Sequence, residues 1–259
     1  MIGLRRDKQK KEDGPLIYAI GDIHGQARML RALISGLPFR EEDTLLFIGD
    51  YIDRGEDSKA VIETLIELKE QHKNVVFLRG NHEQMMLEAS QDDPDIPTSA
   101  LLLWLTNGGL TVLQNYGAGE LSIWREQIPN AHWDFIRSTQ IEYITEAYHF
   151  VHAGLPVPGK KWEGESDGLN LKLWIREPFL SSHHNFDNRI VVFGHTPQIS
   201  GQPLFDKNKI GIDTGAVFGG PLTAIAIDPT ARGRQRLEPT VYQVAPSNGG
   251  NGVIGSPTE

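Results

Sequence analysis

Residues 44–55 read TLLFIGDYIDRG, and this stretch joins a run of apolar residues to a cluster of charged ones. The apolar run is short and ends in glycine, which predicts a buried strand over residues 44–48. Asp50, Asp53 and Arg54 follow it closely. Because charged side chains are seldom buried unless they are paired, a cluster at the mouth of a buried strand indicates a functional site.

Two further strand ends carry a cluster of the same kind, GDIHG at residues 21–25 and RGNHE at residues 79–83. Strands are predicted over residues 16–20, 44–48 and 75–78, and helices between them over residues 27–35 and 58–71. This βαβαβ order predicts an α/β fold with a parallel sheet in its first half. Ligands of open α/β sheets bind outside the carboxyl ends of the strands, so the three clusters are predicted to meet there.

Short strands are also predicted in the second half of the chain, and from residue 190 onward they leave little room for helices. These strands cover residues 149–151, 190–193, 210–212, 222–227 and 240–244, and from residue 190 onward the sheet is expected to become antiparallel or mixed. Residues 92–145 are interpreted as a small helical insertion, with helices over residues 98–106, 110–115 and 130–137. The domain is predicted to span residues 15–245, between a disordered basic lead-in (1–14) and a disordered tail (246–259).

The composition restricts the class of protein. The 259 residues are 39% hydrophobic and 23% charged, which fits a soluble globular protein. A net charge of -9 and a pI of about 5.5 argue against a nucleic-acid binder, and no secretory signal or membrane-spanning stretch is recognised. Because the chain has no cysteine, a transition-metal site must use nitrogen and oxygen ligands, and a reducing cytoplasm is the expected location.

Histidines occupy strand ends in the second half of the chain too, as His152 in FVHAGL and His195 in VVFGHT. A single histidine at a strand end is more often a hydrogen-bonded structural residue. The histidines interpreted in that way are His72, His132, His149, His183 and His184. Four others at matching strand ends indicate a metal site instead, which two divalent cations could share around one bridging carboxylate. The candidate ligands are Asp22, His24, Asp50, Asn81, His152 and His195.

Five motifs, GDIHG, GDYIDRG, RGNHE, HAGL and GHT, occur in this order between residues 17 and 228. Together they resemble the phosphoprotein phosphatase family of metal-dependent serine/threonine phosphatases, and most closely its bacterial and phage branch within the calcineurin-like metallophosphoesterases. The resemblance covers nearly the whole chain between the two predicted disordered ends. It implies an α/β sandwich of two mixed β-sheets flanked by helices, with a small helical insertion.

The resemblance also implies how the candidate ligands are divided. Asp22 and His24 would bind the first of two divalent metal ions, and Asp50 would bridge to the second. Asn81, His152 and His195 would complete the second site. Mn²⁺ is the expected metal, with Fe or Zn as alternatives, because nitrogen and oxygen ligands alone do not select one metal.

Four further residues take roles in the reaction that the resemblance implies. His82 would be the general acid that protonates the leaving alkoxide, and Asp53 would hold it in its charged and oriented form. Arg54 and Arg79 would bind the phosphoryl oxygens, since planar guanidinium groups suit a tetrahedral oxyanion. A metal-bridging hydroxide would attack phosphorus in line, without a covalent enzyme intermediate.

Arg176 in LKLWIREPF is the candidate for a third phosphate-binding arginine, with a surface ion pair to Glu177 as the alternative. The eukaryotic members of the family have HGGL where this chain has HAGL. They also carry a tyrosine-bearing loop near the carboxyl end that has no counterpart recognised here. The implied substrates are phosphoserine and phosphothreonine in proteins or peptides, with phosphotyrosine as a further candidate.

Two other functions are considered. Symmetrical dinucleoside tetraphosphate hydrolases resemble the chain in GDxHG, GNH and GHT, but they generally have a GDLVARG-like second motif that lacks the aspartate found here as Asp53. A non-catalytic phosphoprotein-binding module is expected to have lost a ligand or the acid, and every one is present. The DTG triplet at residues 213–215 does not indicate an aspartic protease, because that chemistry needs two such carboxylates.

Overall fold

Two mixed β-sheets and seven α-helices make up the computed structural model, which describes residues 14–91, 99–162, 168–246 and 253–257. The strands are β1 Ile17–Ile20, β2 Thr44–Phe47, β3 Val75–Phe77, β4 Glu142–Ile144, β5 Tyr148–Val151, β6 Ile190–Phe193, β7 Leu204–Asp206, β8 Lys209–Gly211, β9 Leu222–Ile227, β10 Thr240–Val244 and β11 Val253–Pro257. The helices are α1 Ala27–Gly36, α2 Ser58–Gln71, α3 Asn81–Ala89, α4 Ser99–Trp104, α5 Leu110–Asn115, α6 Asn130–Arg137 and α7 Gly168–Trp174. None of these described helices has the length and apolar character needed to cross a membrane.

The strands are arranged as the predicted sandwich of two mixed sheets. The first sheet has the order β11-β10-β9-β1-β2-β3, with β1, β2 and β3 parallel and β9 to β11 antiparallel. The second has the order β4-β5-β6-β8-β7, with β5, β6 and β8 parallel and an antiparallel strand at each edge. The predicted α/β fold class is therefore confirmed, and the parallel sheet of the first half lies where the sequence placed it.

The side chains of β1 alternate between two cores, and this shows how the sandwich is held together. Ile17 and Ala19 belong to the core between the two sheets, where they meet residues of the second sheet such as Phe150. Tyr18 and Ile20 point the other way, into the core between the first sheet and its helices. Successive side chains of a strand face opposite sides, so a strand that is buried on both sides can be apolar throughout, as this one is.

The structure corrects the predicted second half and tail in two places. β4 and β7 are not among the predicted strands, because three residues at a sheet edge give almost no periodic signal. The prediction of disorder over residues 246–259 is wrong for Val253–Pro257, which pair with β10. Without them β10 would expose a row of unpaired backbone groups at the sheet edge. The predicted lead-in, apart from Gly14, and residues 247–252 and 258–259 of the tail lie outside the described residues.

The helical insertion contains α4, α5 and α6, close to their predicted positions, and residues 92–98 of it are not described. A π-helical turn, Leu105–Gly109, joins α4 to α5 and is kinked at Gly108, whose φ is 117°. Three tryptophans form its core: the ring centroids of Trp104 and Trp124 are 4.8 Å apart, and those of Trp124 and Trp133 are 5.6 Å apart. The insertion is thus a packed unit.

The carboxylate of Glu83, on the first turn of α3, joins two segments that follow strands of the first sheet. It is fully buried and accepts four backbone N–H hydrogen bonds. Oε2 accepts from Asp50 and Gly80, both at 2.9 Å, and Oε1 accepts from Tyr51 at 2.8 Å and Ile52 at 3.3 Å. The turn after β2 is therefore held against the start of α3 by one side chain.

Replacing this carboxylate tests its importance for stability. In Glu83→Gln an amide group takes the place of one oxygen and faces backbone donors, so buried N–H groups lose their acceptor. The free energy of unfolding should fall by about 1–3 kcal/mol, seen in urea titrations as a lower midpoint with an unchanged slope.

The matched control is Glu88→Gln, on the same helix but exposed. It should change the free energy of unfolding by less than about 0.5 kcal/mol. A midpoint for Glu83→Gln that equals the wild-type value would contradict the role assigned to the carboxylate.

Candidate metal centre and active site

The carboxyl ends of parallel strands from both sheets converge on one site. Every residue that the sequence predicts as a ligand or acid lies just after such a strand and is buried. Asp22 and His24 follow β1, Asp50 follows β2, Asn81 and His82 follow β3, His152 follows β5 and His195 follows β6. The sandwich therefore assembles from two sheets a set of side chains that are far apart in the sequence.

The backbone at this site lies largely in the left-handed region. Among the described residues other than glycine, seven have a positive φ, and five of these are predicted site residues. They are His24 (45°), Asp50 (53°), Asp53 (72°), Arg54 (65°) and His195 (62°). Such conformations are strained and cluster at functional sites. The surrounding contacts thus support tight turns that aim these side chains inward.

Asn81, His152 and His195 meet at the carbonyl oxygen of the Asn81 amide. Asn81 Oδ1 lies 3.0 Å from His152 Nε2 and 2.9 Å from His195 Nδ1, and Asp50 Oδ1 is 3.4 Å from His152 Nε2. His152 Nδ1 donates to the carbonyl of Ile48 at 2.9 Å, which turns Nε2 toward the centre. His195 Nδ1 therefore faces the atoms where these side chains meet, and its Nε2 is buried without a hydrogen-bond partner among the described residues.

His24 is oriented in the same manner on the other side of Asp50. Its Nδ1 donates to the carbonyl of Ile52 at 2.8 Å, so Nε2 carries the lone pair. That nitrogen lies 3.4 Å from Asp50 Oδ2 and accepts a hydrogen bond of 3.0 Å from Arg54 Nη1. Asp50 thus presents one oxygen toward His24 and the other toward His152.

Asp22 lies against the backbone of the strand end that carries His195. Its Oδ2 accepts from the His195 N–H at 3.0 Å, and a side chain at Gly194 would collide with its carboxylate. Asp213, which follows β8, adds another buried carboxylate. Burial first, and then the charge of Asp213, raise the pKa of Asp22 well above its usual value. A cation beside Asp22 and Asp213 would therefore be favoured.

The donor set fits divalent cations. Two groups of side chains could each hold an ion, His24 with Asp50 and His82, and Asp50 with His152 and His195; within each group the ligand atoms lie within 4.8 Å of one another. Asp50 belongs to both groups, as a bridging carboxylate would. The first group contains His82 where the sequence predicts Asp22.

The charges at the site support the same conclusion. Five carboxylates are almost completely buried there, and in the described part of the chain none has a lysine or arginine within ion-pairing distance. They are Asp22, Asp50, Asp53, Glu83 and Asp213. Burial lowers the pKa of His152, but the nearby carboxylates, with Asp50 foremost, together outweigh it and raise the pKa to about 9. Uncompensated buried charges are costly, so cations would stabilise this arrangement.

His82 and Asp53 form a buried pair beside the candidate ligands. His82 Nδ1 lies 2.6 Å from Asp53 Oδ2, and His82 Nε2 faces the centre, 4.0 Å from Asp50 Oδ2. Burial raises the pKa of Asp53 well above its usual value, whereas a hydrogen bond from Trp104 lowers it. Burial also lowers the pKa of His82 to about 3, opposite to the effect expected of a carboxylate partner. The Asp53 contact therefore accounts for the tautomer and orientation of the ring rather than for its charge.

Arg54 and Arg176 are exposed at the mouth of the site. The Arg54 guanidinium lies over the ring of Phe218, 5.6 Å from its centroid. Arg176 Nη2 lies 3.4 Å from the carbonyl oxygen of His195 and, in the described ranges, forms no ion pair with Glu177. The alternative of a surface ion pair is thus not supported for Arg176, and both guanidinium groups border the candidate metal centre.

Arg79 is held more firmly by the protein. Its Nε donates to Thr139 Oγ1 at 3.1 Å and its Nη1 to Gln84 Oε1 at 3.0 Å. Its Nη2 donates to the carbonyl oxygens of Arg137 and Thr139 at 3.1 and 3.3 Å. Of the three predicted phosphate-binding arginines, Arg79 has the fewest donors left for a ligand.

Sequence reasoning missed two residues that support the site, Glu83 and Trp104. Glu83 has a local signal, because an acidic residue at the third position of a helix often reaches back to the residue before the helix. The Trp104 indole donates to Asp53, with Nε1 at 3.0 Å from Oδ1 and 3.2 Å from Oδ2. No sequence pattern predicts that contact, since 51 residues separate Trp104 from Asp53.

Comparison with known proteins identifies the family. Residues 15–217 match the family described as calcineurin-like phosphoesterase. Serine/threonine-protein phosphatase 1 of Salmonella typhimurium is 34% identical over 218 residues, which cover 82% of this chain and 91% of the relative. An asymmetrical bis(5'-nucleosyl)-tetraphosphatase, PrpE of Anoxybacillus flavithermus, is 30% identical over 245 residues, which cover 81% of this chain and 90% of the relative.

A solved structure shares the fold. The structure of a protein serine/threonine phosphatase from Saccharomyces cerevisiae with similarity to human phosphatase PP5 has a TM-score of 0.61 at 16% identity, covering 93% of this chain and 83% of that chain. Calcineurin-like phosphoesterases use a binuclear centre of divalent metals, and two candidate ligand groups that share Asp50 are present here. The chain belongs to the calcineurin-like phosphoesterase family of metallophosphoesterases, and bacterial serine/threonine-protein phosphatases are among its relatives.

Proposed function

We propose that this metallophosphoesterase hydrolyses phosphomonoesters of serine and threonine in proteins, with phosphotyrosine as a further substrate class. The observation that carries the proposal is the buried His82–Asp53 pair, 2.6 Å apart and facing the candidate metal centre. The alkoxide that leaves a serine or threonine monoester is strongly basic and needs a proton. A phosphate group that leaves a polyphosphate is far less basic, so such a pair has less to contribute there.

The proposed roles of the ligands follow the two groups around Asp50. Asp22 and His24 hold the first metal ion, Asn81, His152 and His195 hold the second, and Asp50 bridges them. When bound, two divalent ions lower the pKa of a water molecule and neutralise the charge of the phosphoryl group. We propose Mn²⁺, with Fe or Zn as alternatives.

The remaining residues bind the phosphate and deliver the proton. The exposed guanidinium groups of Arg54 and Arg176 grip the phosphoryl oxygens, with Arg79 in a supporting position. His24 Nε2, which accepts from Arg54 Nη1 in this structure, would hold a metal ion, and the Arg54 donor would then be available to the substrate. The dianionic phosphate places negative charge beside His82 Nε2, which favours the protonated ring and offsets the effect of burial.

Dinucleoside tetraphosphate hydrolysis is the rival function, because relatives with that activity in their names also match the chain. These names specify asymmetrical cleavage, whereas the absence of an aspartate at the Asp53 position is expected of the symmetrical hydrolases only. Asp53 therefore argues against symmetrical cleavage and does not separate the phosphatases from the asymmetrical hydrolases. The phosphatases and the asymmetrical hydrolases differ instead in the basicity of the leaving group, which is high for an alkoxide and low for a phosphate.

Parallel assays of the Mn²⁺-loaded protein decide between these functions. A phosphoserine or phosphothreonine peptide should be turned over with a larger kcat/KM than diadenosine tetraphosphate, measured by phosphate release and by chromatography of nucleotides. The nucleotide products identify the rival: two ADP molecules indicate symmetrical cleavage, and ATP with AMP indicates asymmetrical cleavage. A larger kcat/KM for the dinucleotide would reverse the assignment.

A variant of the acid tests its role and also separates an enzyme from a binding module. His82→Asn should lower kcat on a phosphoserine peptide by on the order of 10²-fold or more, while the metal content measured by mass spectrometry stays unchanged. The control is His132→Asn, a buried histidine whose Nδ1 lies 2.7 Å from Tyr116 Oη on the insertion. Loss of metal from His82→Asn would show that His82 is a ligand, as the group of His24, Asp50 and His82 allows.

The bridging role of Asp50 has a separate test. Asp50→Asn should remove both metal ions and all activity, because each ligand group contains this carboxylate. Asp213→Asn is the matched control, a buried carboxylate that follows β8 of the second sheet and is assigned to neither ion, and it should keep both. Retention of two metals per chain by Asp50→Asn would rule out the bridge.

A further inference from the structure

We propose that Trp104 is a positioning residue for the reaction, because its indole N–H orients the Asp53 carboxylate toward His82. The proposal rests on the proposed function in one respect, since it takes His82 to be the acid that protonates the leaving oxygen. It also gives the helical insertion a role, because Trp104 is the last residue of α4.

The geometry at Asp53 leaves the carboxylate few other supports. It is fully buried, and its side-chain partners among the described residues are His82 and Trp104. The Trp104 N–H lies 3.0 Å from Oδ1 and 3.2 Å from Oδ2, so it bridges both oxygens. Rotation of the carboxylate away from His82 would break that contact. One indole N–H therefore selects the rotamer in which Oδ2 meets His82 Nδ1.

The insertion holds Trp104 in place. The ring is fully buried and packs against Trp124 with centroids 4.8 Å apart. At the kink after α4, the Gly108 carbonyl accepts from the Arg54 N–H at 3.3 Å, and a side chain at Gly108 would collide with Arg54. The insertion thus packs directly against the turn that carries Asp53 and Arg54. These contacts hold Trp104 in a fixed position beside Asp53.

A purely structural role for Trp104 is the alternative, and Trp124 provides the control. Both rings are fully buried in the same tryptophan cluster. The Trp124 N–H, unlike that of Trp104, has no hydrogen-bond partner among the residues that the structure describes. Trp104→Phe and Trp124→Phe therefore remove similar ring volume, but only the first removes a hydrogen bond to Asp53.

The positioning role and the structural role differ in how the loss of kcat depends on the leaving group. An acid matters most when the leaving oxygen is basic, as in a phosphoserine peptide, and least when it is acidic, as in p-nitrophenyl phosphate. On the metal-loaded enzyme, Trp104→Phe should lower kcat for the peptide on the order of tenfold. KM should stay within about twofold, and the loss on p-nitrophenyl phosphate should be much smaller. Trp124→Phe should affect the two substrates equally.

A double-mutant cycle tests whether Trp104 acts through Asp53. In an Asp53→Asn background, Trp104→Phe should cause no further loss of kcat on the peptide, because the contact it supports is already gone. If Trp104→Phe does not fold, replacement of Trp104 by 3-benzothienylalanine, in which sulfur takes the place of the N–H, keeps the ring shape and should give the same selective loss.

The outcomes that overturn the inference are distinct from those that overturn the proposed function. Equal losses on both substrates, or losses that add to those of Asp53→Asn, would reduce Trp104 to a structural residue. If His82→Asn itself shows no dependence on the leaving group, the assignment of the acid fails instead. A leaving-group effect in His82→Asn that is absent from Trp104→Phe would reject the role of Trp104 alone.

Discussion

The buried carboxylate of Glu83 is the interaction on which the geometry of the site depends. It gathers four backbone N–H groups from two segments, the turn that begins with Asp50 and the start of α3. Asp50 is the candidate bridge between two metals, and His82, the second residue of α3, is the candidate acid. The Glu83 side chain therefore sets the distance between the candidate metal bridge and the candidate acid. Burial raises the pKa of Glu83 to about 7, and the backbone hydrogen bonds it accepts oppose this effect in part.

The turns around Glu83 also brace one another. The N–H of His24 donates to the carbonyl of Asp50 at 2.8 Å, and the N–H of Gly25 donates to that of Tyr51 at 2.9 Å. These bonds join the turn after β1 to the turn after β2, in the same stretch where φ is positive. Strained residues cost about 1–3 kcal/mol each and persist when their surroundings over-determine them. The strain is thus maintained by a network of backbone hydrogen bonds, which also holds the candidate ligands in place.

The sequence predicts which side chains meet at the centre of this site because its signals are local. An apolar run that ends in a polar cluster shows both a buried strand and the direction of its end, and parallel strands bring such ends together. Periodicity cannot show which buried strands share a sheet, or find edge strands of three residues such as β4 and β7. Trp104 was missed for another reason: its contact with Asp53 depends on how the insertion packs, and packing leaves no short motif.

The proposed monoester substrate fits the distribution of charge at this centre. Five buried carboxylates and a chain net charge of -9 oppose the approach of any phosphate. The proposed cations, together with the exposed guanidinium groups of Arg54 and Arg176, would reverse the sign of the charge locally. A dianionic monoester places its whole charge there. A dinucleoside tetraphosphate carries charge on four phosphates, and those that do not meet the cations would face a negatively charged protein.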